Sequence, residues 1–414
     1  MNRIFLRGFK ISPDRLLLKR YSTRLKYSLK MNILGIETSC DDTGCAILNG
    51  SGMILGEELL SQNEIHLRYG GVNPVVAHEL HKDNIEKTVM GAITKARLTF
   101  DDIDAIAVTT KPGIFTSLLV GVKYAKYLSK KYTKPLISIH HMQAHALVAR
   151  MYNEIPVPFI VLLISGGHCL LAVANDVNDF DLLGQTIDHA PGEVMDKAAR
   201  RMKLKNIPIY SKLAGGRAIE MAAEKSTNAT QFEFPLPLKR DRDCNFSFSG
   251  LNDFLVRKLI EKEIQHGVMG DGIIPEVNNL CASYQLAITE HLMHRLERGI
   301  IFCEKEKLIK AKNIVVSGGV ACNNFIFNSL QSIGFKYGYQ VYRPPPKLCT
   351  DNGVMIAWNG IEKIKKECID RINIDLKDID PKAPLGRSLI SRVKEANIQV
   401  KVTRLRKLKS SPLI

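Results

Sequence analysis

The segment His141-Met-Gln-Ala-His145 places two imidazoles four residues apart. On a helix that spacing sets both rings on one face, close enough to share a metal ion. A lone pair of this kind is more often incidental than functional, and His140 leaves open which imidazoles point together. What lies between the histidines narrows the chemistry. A zinc peptidase of the His-Glu-x-x-His type carries its general base directly after the first His, where this chain has Met142. Asp351, in Cys349-Thr350-Asp351-Asn352-Gly353, stands at the start of an expected helix through Met355, Ile356 and Trp358. It either caps that helix or completes a two-His, one-carboxylate site with positions open to substrate oxygens. Sequence spacing does not choose between the two.

The elements that must position these groups follow a repeated grammar. Ile33 to Glu37 reads as a strand, Thr38 to Asp42 as a turn, Gly44 to Leu48 as a second strand and the region near Ile54 as a third. A helical stretch from Val75 to Ala96, an apolar run Ile103 to Val108, a helix Ser117 to Lys130 and a strand Pro135 to Ile139 continue as alternating strand and helix, which implies parallel pairing. The second half resembles the first in outline. The run Pro158 to Ile164 ends in the turn Ser165-Gly166-Gly167-His168, and Cys169 to Val173 returns as a strand. Helices at about Val194 to Met202, Lys212 to Glu224, Leu251 to Gln265 and Val277 to Cys303 precede a strand Ile314 to Val316 and a second turn, Ser317-Gly318-Gly319. Each glycine turn offers backbone N–H groups with no side chain obstructing a phosphate or ribose. Either one alone is merely a tight turn; at corresponding points of two similar halves they point to a nucleotide cleft. Ser226 to Phe248 has no periodicity and reads as an irregular insertion.

Bulk properties bound the rest. A chain of 414 residues exceeds the size of one ordinary hydrophobic core, so two lobes are expected. The formal charge is +16, and half of it lies before Met31, where nine Lys and Arg residues face Asp14 alone. This leader alternates basic and apolar residues without a continuous apolar core, the composition of a mitochondrial transit peptide. The remaining excess suits a polyanionic partner such as nucleic acid, or a plain solvated basic surface. The nine cysteines include no Cys-x-x-Cys pair and read as reduced thiols, compatible with the matrix or cytosol. No stretch approaches the roughly 20 apolar residues that span a bilayer, so no membrane insertion is expected.

Six segments taken together carry a resemblance. Gly35-Ile-Glu-Thr-Ser-Cys-Asp-Asp-Thr43, His140-His-Met-Gln-Ala-His-Ala146, Leu163-Ile-Ser-Gly-Gly-His168, Asp188 to Lys197, Asn245-Phe-Ser-Phe-Ser-Gly250 and Ser317-Gly-Gly-Val-Ala321 with Asn323 resemble the TsaD/Kae family of tRNA threonylcarbamoyladenosine synthases. The leader, the turn Lys111-Pro-Gly113 and Pro344 to Gly353 look most like its mitochondrial, O-sialoglycoprotein endopeptidase-like branch. Lys111 and Gln143 depart from the pattern of many members, and neither is a proposed ligand.

The resemblance implies an α/β, actin-like fold of the sugar kinase and Hsp70 class, with two duplicated lobes around a central cleft. The expected organisation is a transit peptide over 1–30, an N-terminal lobe over 31–155, a C-terminal lobe over 156–385 with the insertion at 226–248, and a basic tail over 386–414. It implies His141, His145 and Asp351 as ligands of one divalent metal cation per subunit. Contacts to an adenylate are implied for Leu163, Ile164, Ser165, Gly166, Gly167, Asp196, Gly216 (or its neighbour Gly215), Glu220 and Asn323, with Cys322 and Thr350 as neighbours. In its bland role Asp196 is a surface helix charge.

The activity implied is transfer of threonylcarbamoyl from threonylcarbamoyl-AMP, made by a separate synthase, to N6 of the adenosine 3′ of the anticodon in mitochondrial tRNA, by a matrix homodimer. No general base stands out. Lys239-Arg240-Asp241-Arg242-Asp243 and the cluster Lys401, Arg404, Arg406, Lys407 and Lys409 are candidate tRNA contacts. A glycoprotease-type metallopeptidase, an ATP-dependent kinase or chaperone on the same fold, and a non-catalytic tRNA-binding subunit are the alternatives.

Overall fold

A computed structural model of the chain describes residues 30–69, 71–366, 374–401 and 405. The leader up to residue 29, Cys368, Arg404, Arg406, Lys407 and Lys409 lie outside the described residues. Two compact units emerge: the chain up to Leu147 together with Asp351–Pro384, and Val148–Thr350 together with the chain from Leu385 on. The expected division ran the second lobe unbroken to 385; the segment Asp351–Pro384 packs instead with the first unit.

In the first unit, β1 (Asn32–Glu37), β2 (Asp42–Asn49) and β3 (Ile54–Ser61) form an antiparallel meander. After α1 (Asn63–Arg68) and α2 (Pro74–Ala96), β4 (Ala105–Lys111) joins β1 in parallel. The helix α3 (Phe115–Tyr132) then leads to β5 (Leu136–His140), parallel to β4. The sheet order is β3-β2-β1-β4-β5. The short helix α4 (His141–Leu147) starts where β5 ends.

The second unit repeats this plan. β6 (Phe159–Ile164), β7 (Cys169–Ala174) and β8 (Phe180–Gln185) form the meander, and α5 (Pro191–Arg201), α6 (Gly215–Glu224), α7 (Ser249–His266) and α8 (Val277–Lys305) follow. β9 (Asn313–Ser317), α9 (Asn324–Lys336) and β10 (Gln340–Tyr342) complete the sheet β10-β9-β6-β7-β8-β11. With β6 to β10 in the roles of β1 to β5, the strand order and the parallel and antiparallel pairings match those of the first sheet. This duplication is the one the actin-like resemblance implies.

The basic tail expected from 386 begins instead as structure. β11 (Arg387–Ser388) adds to the edge of β8, and α11 (Ile390–Glu395) follows. The reason is apolar: Leu389, Val393 and Ile398 are buried in the second unit's core. The segment 226–248 holds no helix or strand but is firmly tied. Arg295 and Arg298 of α8, both fully buried, donate to the backbone carbonyls of Leu238 and Asp243, and Arg298 also to that of Ile398.

One packing device matters most for the site. α10 (Gly353–Lys365) lies on β1 and β2 at backbone distance. A Cβ on Gly35 would stand 2.4 Å from both the Ala357 nitrogen and the Gly353 oxygen, and one on Gly353 would stand 2.4 Å from the Cys45 carbonyl carbon. A Cβ on Gly44 would meet the Gly353 nitrogen at 2.8 Å. No side chain fits in this seam. By contrast, a Cβ on Gly166 would meet nothing within 4 Å. Gly353→Ala should therefore lower stability by about 1–3 kcal/mol, and Gly166→Ala should change it by less than about 0.5 kcal/mol. Urea midpoints at unchanged slope measure both, and equal shifts for the two variants would refute the seam.

Candidate metal centre and nucleotide-binding turns

The first unit gathers His141, His145 and Asp351, whose donor atoms all lie within 4.8 Å of one another. Each is placed by a different local cause. β5 ends at His140 and α4 begins at His141, so both site histidines project from the first two turns of α4, with ring centroids 4.6 Å apart and planes at 89°. The indole N–H of Trp358 on α10 donates to the Leu147 carbonyl at 3.1 Å and ties down the end of α4. Asp351 does not cap α10: the N-cap is Asn352, whose side chain accepts from the Met355 amide at 2.9 Å. That frees the Asp351 carboxylate, which accepts from His145 Nε2 at 3.0 Å and lies 3.4 Å from His141 Nε2.

His140 is resolved as structural. Its Nδ1 accepts from the Met142 amide at 3.2 Å, and its Nε2 faces the Pro384 carbonyl at 3.2 Å. Burial pushes its pKa down to about 3, so the ring stays neutral.

Sequence reasoning missed Glu37. It ends β1, is fully buried, and sits 3.1 Å from His141 Nδ1. Its oxygens also accept from the Ser39 amide at 2.5 Å and the Thr109 hydroxyl at 2.6 Å. The available signal was an acid at the end of the apolar run Asn32-Ile-Leu-Gly-Ile, because a buried carboxylate needs a stated partner.

The electrostatics of this cluster are self-consistent. Burial disfavours a charged His141, yet Asp351 and Glu37 more than offset it and raise its pKa to about 10. Burial also works against the two carboxylates, but the imidazoles hold Glu37 below and Asp351 well below the usual carboxylate range. Two carboxylates therefore demand a cation, and a proton on His141 is the one this chain can supply itself.

A divalent ion fits the same demand. Donors at roughly 2.0–2.6 Å from a common ion lie at most about 5 Å apart, which the cluster satisfies. Glu37 at Nδ1 fixes His141 with Nε2 turned toward Asp351, the outer-shell arrangement typical of metal-ligating histidines. The histidine side chains are 6% and 3% exposed and that of Asp351 22%, so approach is from the carboxylate side.

In the second unit the structure gives the other expected residues definite surroundings. Leu163 and Ile164 are buried at the end of β6, while Gly166 and Gly167 are exposed in the turn. The Ser165 hydroxyl accepts from the His168 amide at 3.1 Å. At the second turn a Cβ on Gly318 would stand 2.4 Å from the Ile164 carbonyl oxygen, and its φ is 98°. The two turns thus touch.

Asp196 on α5 lies against the amides of Gly215 and Gly216 at the start of α6; burial raises its pKa and these amides oppose the rise. The two glycines separate here. A Cβ on Gly215 would stand 2.6 Å from Asp196 Oδ1, whereas one on Gly216 would meet nothing closer than Met195 at 3.9 Å. Close packing requires the first glycine, and the second has open space. Glu220 is buried and takes hydrogen bonds from Arg217 at 2.6 Å and the Asn324 amide at 2.7 Å. Asn323 caps α9 through the Ile326 amide at 3.0 Å and donates to Gln285 at 2.8 Å. Glu220 and Asn323 therefore meet at the start of α9, with Cys322 immediately before Asn323. Thr350 is exposed, its methyl 3.7 Å from where a Gly319 Cβ would stand.

The proton on His141 sets a pH dependence for the metal centre. Below about 10 an incoming ion must displace it, so affinity for a divalent probe such as Mn2+ should rise with pH, by up to about tenfold per unit between pH 6 and 8. Titration followed by electron paramagnetic resonance measures this, and a pH-independent affinity would exclude His141 as a ligand.

Residues 53–358 match the family model described as tRNA N6-adenosine threonylcarbamoyltransferase. The chain is 44% identical to the mitochondrial tRNA N6-adenosine threonylcarbamoyltransferase of Danio rerio, over 90% of this chain and 93% of that one. It is 41% identical to the protein of the same name from Homo sapiens, over 96% and 93%. Among solved structures, component A of (R)-2-hydroxyglutaryl-CoA dehydratase from Acidaminococcus fermentans aligns with a TM-score of 0.46 at 13% identity, covering 82% of this chain and 99% of that one. By its sequence match along most of its length, the chain belongs to the tRNA N6-adenosine threonylcarbamoyltransferase family, TsaD.

Proposed function

We propose that this chain transfers the threonylcarbamoyl group of threonylcarbamoyl-AMP to the N6 amine of the adenosine 3′ of the anticodon in tRNA. The observation that carries the reading, beside family membership, is the His141, His145 and Asp351 cluster with Glu37 behind it. The exocyclic amine of adenine is a poor nucleophile, so its partner must be an activated carbonyl, here a mixed anhydride from which AMP leaves. A divalent cation bound by the three ligands supplies Lewis-acid stabilisation of charge developing on substrate oxygens.

The chain's own residues do the holding. The exposed amides of Gly166 and Gly167 bind the AMP phosphate, and Asp196 and Glu220 recognise ribose or adenine. Asp196 retains acceptor capacity beside these two amides, since a carboxylate offers about four acceptor sites. Leu163, Ile164, Gly216, Asn323, Cys322 and Thr350 line the same nucleotide site. Lys239, Arg240 and Lys401, all exposed, contribute phosphate contacts to tRNA. The protein works in mitochondria, as the names of its relatives support. We assign it to the matrix as a homodimer, brought there by its leader and fed by a separate synthase.

The peptidase alternative loses its water-activating group twice over. Met142 follows His141, and the nearby acid Glu37 is fully buried, with oxygens already engaged by His141, Ser39 and Thr109. It is positioned to orient an imidazole and not to deprotonate water.

Incubation of the full chain with tRNA, threonine, bicarbonate, ATP and an active adenylate-forming enzyme should yield threonylcarbamoyladenosine, read by mass spectrometry of nucleosides. His145→Ala and Asp351→Asn should each lower the yield at least about 100-fold. Absence of the product with the partner enzyme demonstrably active would overturn the reading.

A further inference from the structure

Two adjacent residues of α8 touch helices that carry the expected nucleotide residues of the second unit. Tyr284, fully buried, donates its hydroxyl hydrogen to the Val194 carbonyl of α5 at 3.3 Å, two residues before Asp196. Gln285 reaches the start of α9 instead. Its Oε1 accepts from Asn323 Nδ2 at 2.8 Å, and the two residues are only 4% and 6% exposed. Their partners settle which way each carboxamide faces. The Ile326 amide can only donate, so Asn323 turns Oδ1 to it at 3.0 Å and Nδ2 to Gln285. That Nδ2 also only donates, so Gln285 meets it with Oε1 and turns Nε2 away. The Gln285 main-chain carbonyl accepts from the Thr289 hydroxyl at 2.7 Å. The Gln285 Nε2 group, with two N–H donors, has no hydrogen-bond partner among the described residues.

We propose that Gln285 is a nucleotide-binding residue, which donates through Nε2 to an acceptor atom on the nucleoside half of the adenylate while its Oε1 holds the Asn323 carboxamide in place. The inference rests on the reading of Asp196, Glu220 and Asn323 as a nucleotide site. It adds a residue that neither the glycine turns nor the family resemblance singles out. The balance of donors and acceptors carries it. Asp196 and Glu220 are carboxylates and suit the donors of a nucleoside, its ribose hydroxyls and exocyclic amine. Its ring nitrogens and ribose oxygens are acceptors and need N–H groups from the protein. Asn323 has one N–H left after its bond to Gln285, and Gln285 has two. Glu220 stands at the same end of α9, where it accepts from the Asn324 amide at 2.7 Å. A carboxamide this deeply buried has given up most of its hydration, and an acceptor on a ligand restores the hydrogen bonds it lost.

The probe is AMP, titrated into the full chain by isothermal titration calorimetry. Gln285→Met keeps the volume and removes the side chain's donor and acceptor. Gln285→Glu keeps an oxygen for Asn323 and, once ionised, lacks the donor. Each variant should bind AMP at least about tenfold more weakly than wild type, with affinity for Mn2+ in the first unit unchanged. In the transfer assay both should raise KM for threonylcarbamoyl-AMP and leave KM for tRNA as it is, a split that a purely structural role of Gln285 does not produce. Wild-type affinity for AMP in Gln285→Glu would mean that the donor is unused and overturns the inference, as would wild-type affinity in Gln285→Met. If Gln285→Met fails to fold, the Glu variant, which preserves the bond between α8 and α9, decides it. Failure of the wild type itself to bind AMP removes the nucleotide site, and the inference falls with that reading.

Discussion

Everything in the metal centre depends on one close approach of backbone to backbone. α10 can lie against β1 and β2 only because Gly35, Gly44 and Gly353 carry no side chains where the two surfaces meet. Asp351 stands two residues before Gly353, so the depth at which that helix seats fixes the height of the carboxylate over the imidazoles. A helix displaced by one methyl group would carry Asp351 away from His145, whose Nε2 it meets at 3.0 Å. A site that must align a ligand to within about 0.5 Å is better built on such a seam than on a loop. The chain returns to the first unit at Asp351, and the same packing sets the carboxylate beside the imidazoles.

The charges of the cluster depend on that placement. Glu37 and Asp351 are both held ionised, and burying two carboxylates is expensive unless a positive group stands between them. His141 is that group: Glu37 reaches its Nδ1 and Asp351 faces its Nε2. The same arrangement serves a protonated ring and a metal-bearing one, because both present a positive charge to Asp351 while Glu37 keeps the Nδ1 proton. A proton and a divalent ion would be alternative occupants of a single electrostatic requirement, so the two compete for it as pH changes.

Much of this was legible in the sequence, and the failures have physical causes. The His pair reads from helical spacing alone, and the duplicated strand grammar reads from apolar runs ending in glycine turns. Glu37 was passed over because a strand-terminal acid looks solvent-exposed, and only the fold, bringing it against a residue 104 positions away, reveals the partner. Asp351 could not be separated from a helix cap until Asn352 was found to be the cap. The strands β8, β10 and β11 were missed because they are short or without a clean alternation, and tertiary pairing rather than local propensity makes them strands. The helix over Val277 to Cys303 was expected, but not that its Arg295 and Arg298 are fully buried. They are buried because the insertion, lacking its own secondary structure, needs donors for its carbonyls.

The duplication also shows how the two units set different residues at corresponding positions of the same plan. At the end of the first strand, unit one has Glu37 followed by the hydroxyls of Thr38 and Ser39, and unit two has Ser165, Gly166 and Gly167. One turn presents a carboxylate that orients an imidazole; the other presents glycine backbone with open space beside it. After the fourth strand the contrast repeats, with Lys111-Pro-Gly113 in one unit and Ser317-Gly318-Gly319 in the other. After the fifth, unit one begins the histidine helix α4 directly, and unit two runs into the proline-rich loop that ends at Cys349. Strand ends are where a parallel sheet leaves backbone groups unpaired, so they are the positions at which a duplicated fold can diverge without disturbing its core. Unit one filled those positions with titratable side chains suited to a cation. Unit two left them as glycine and small polar residues suited to an anion.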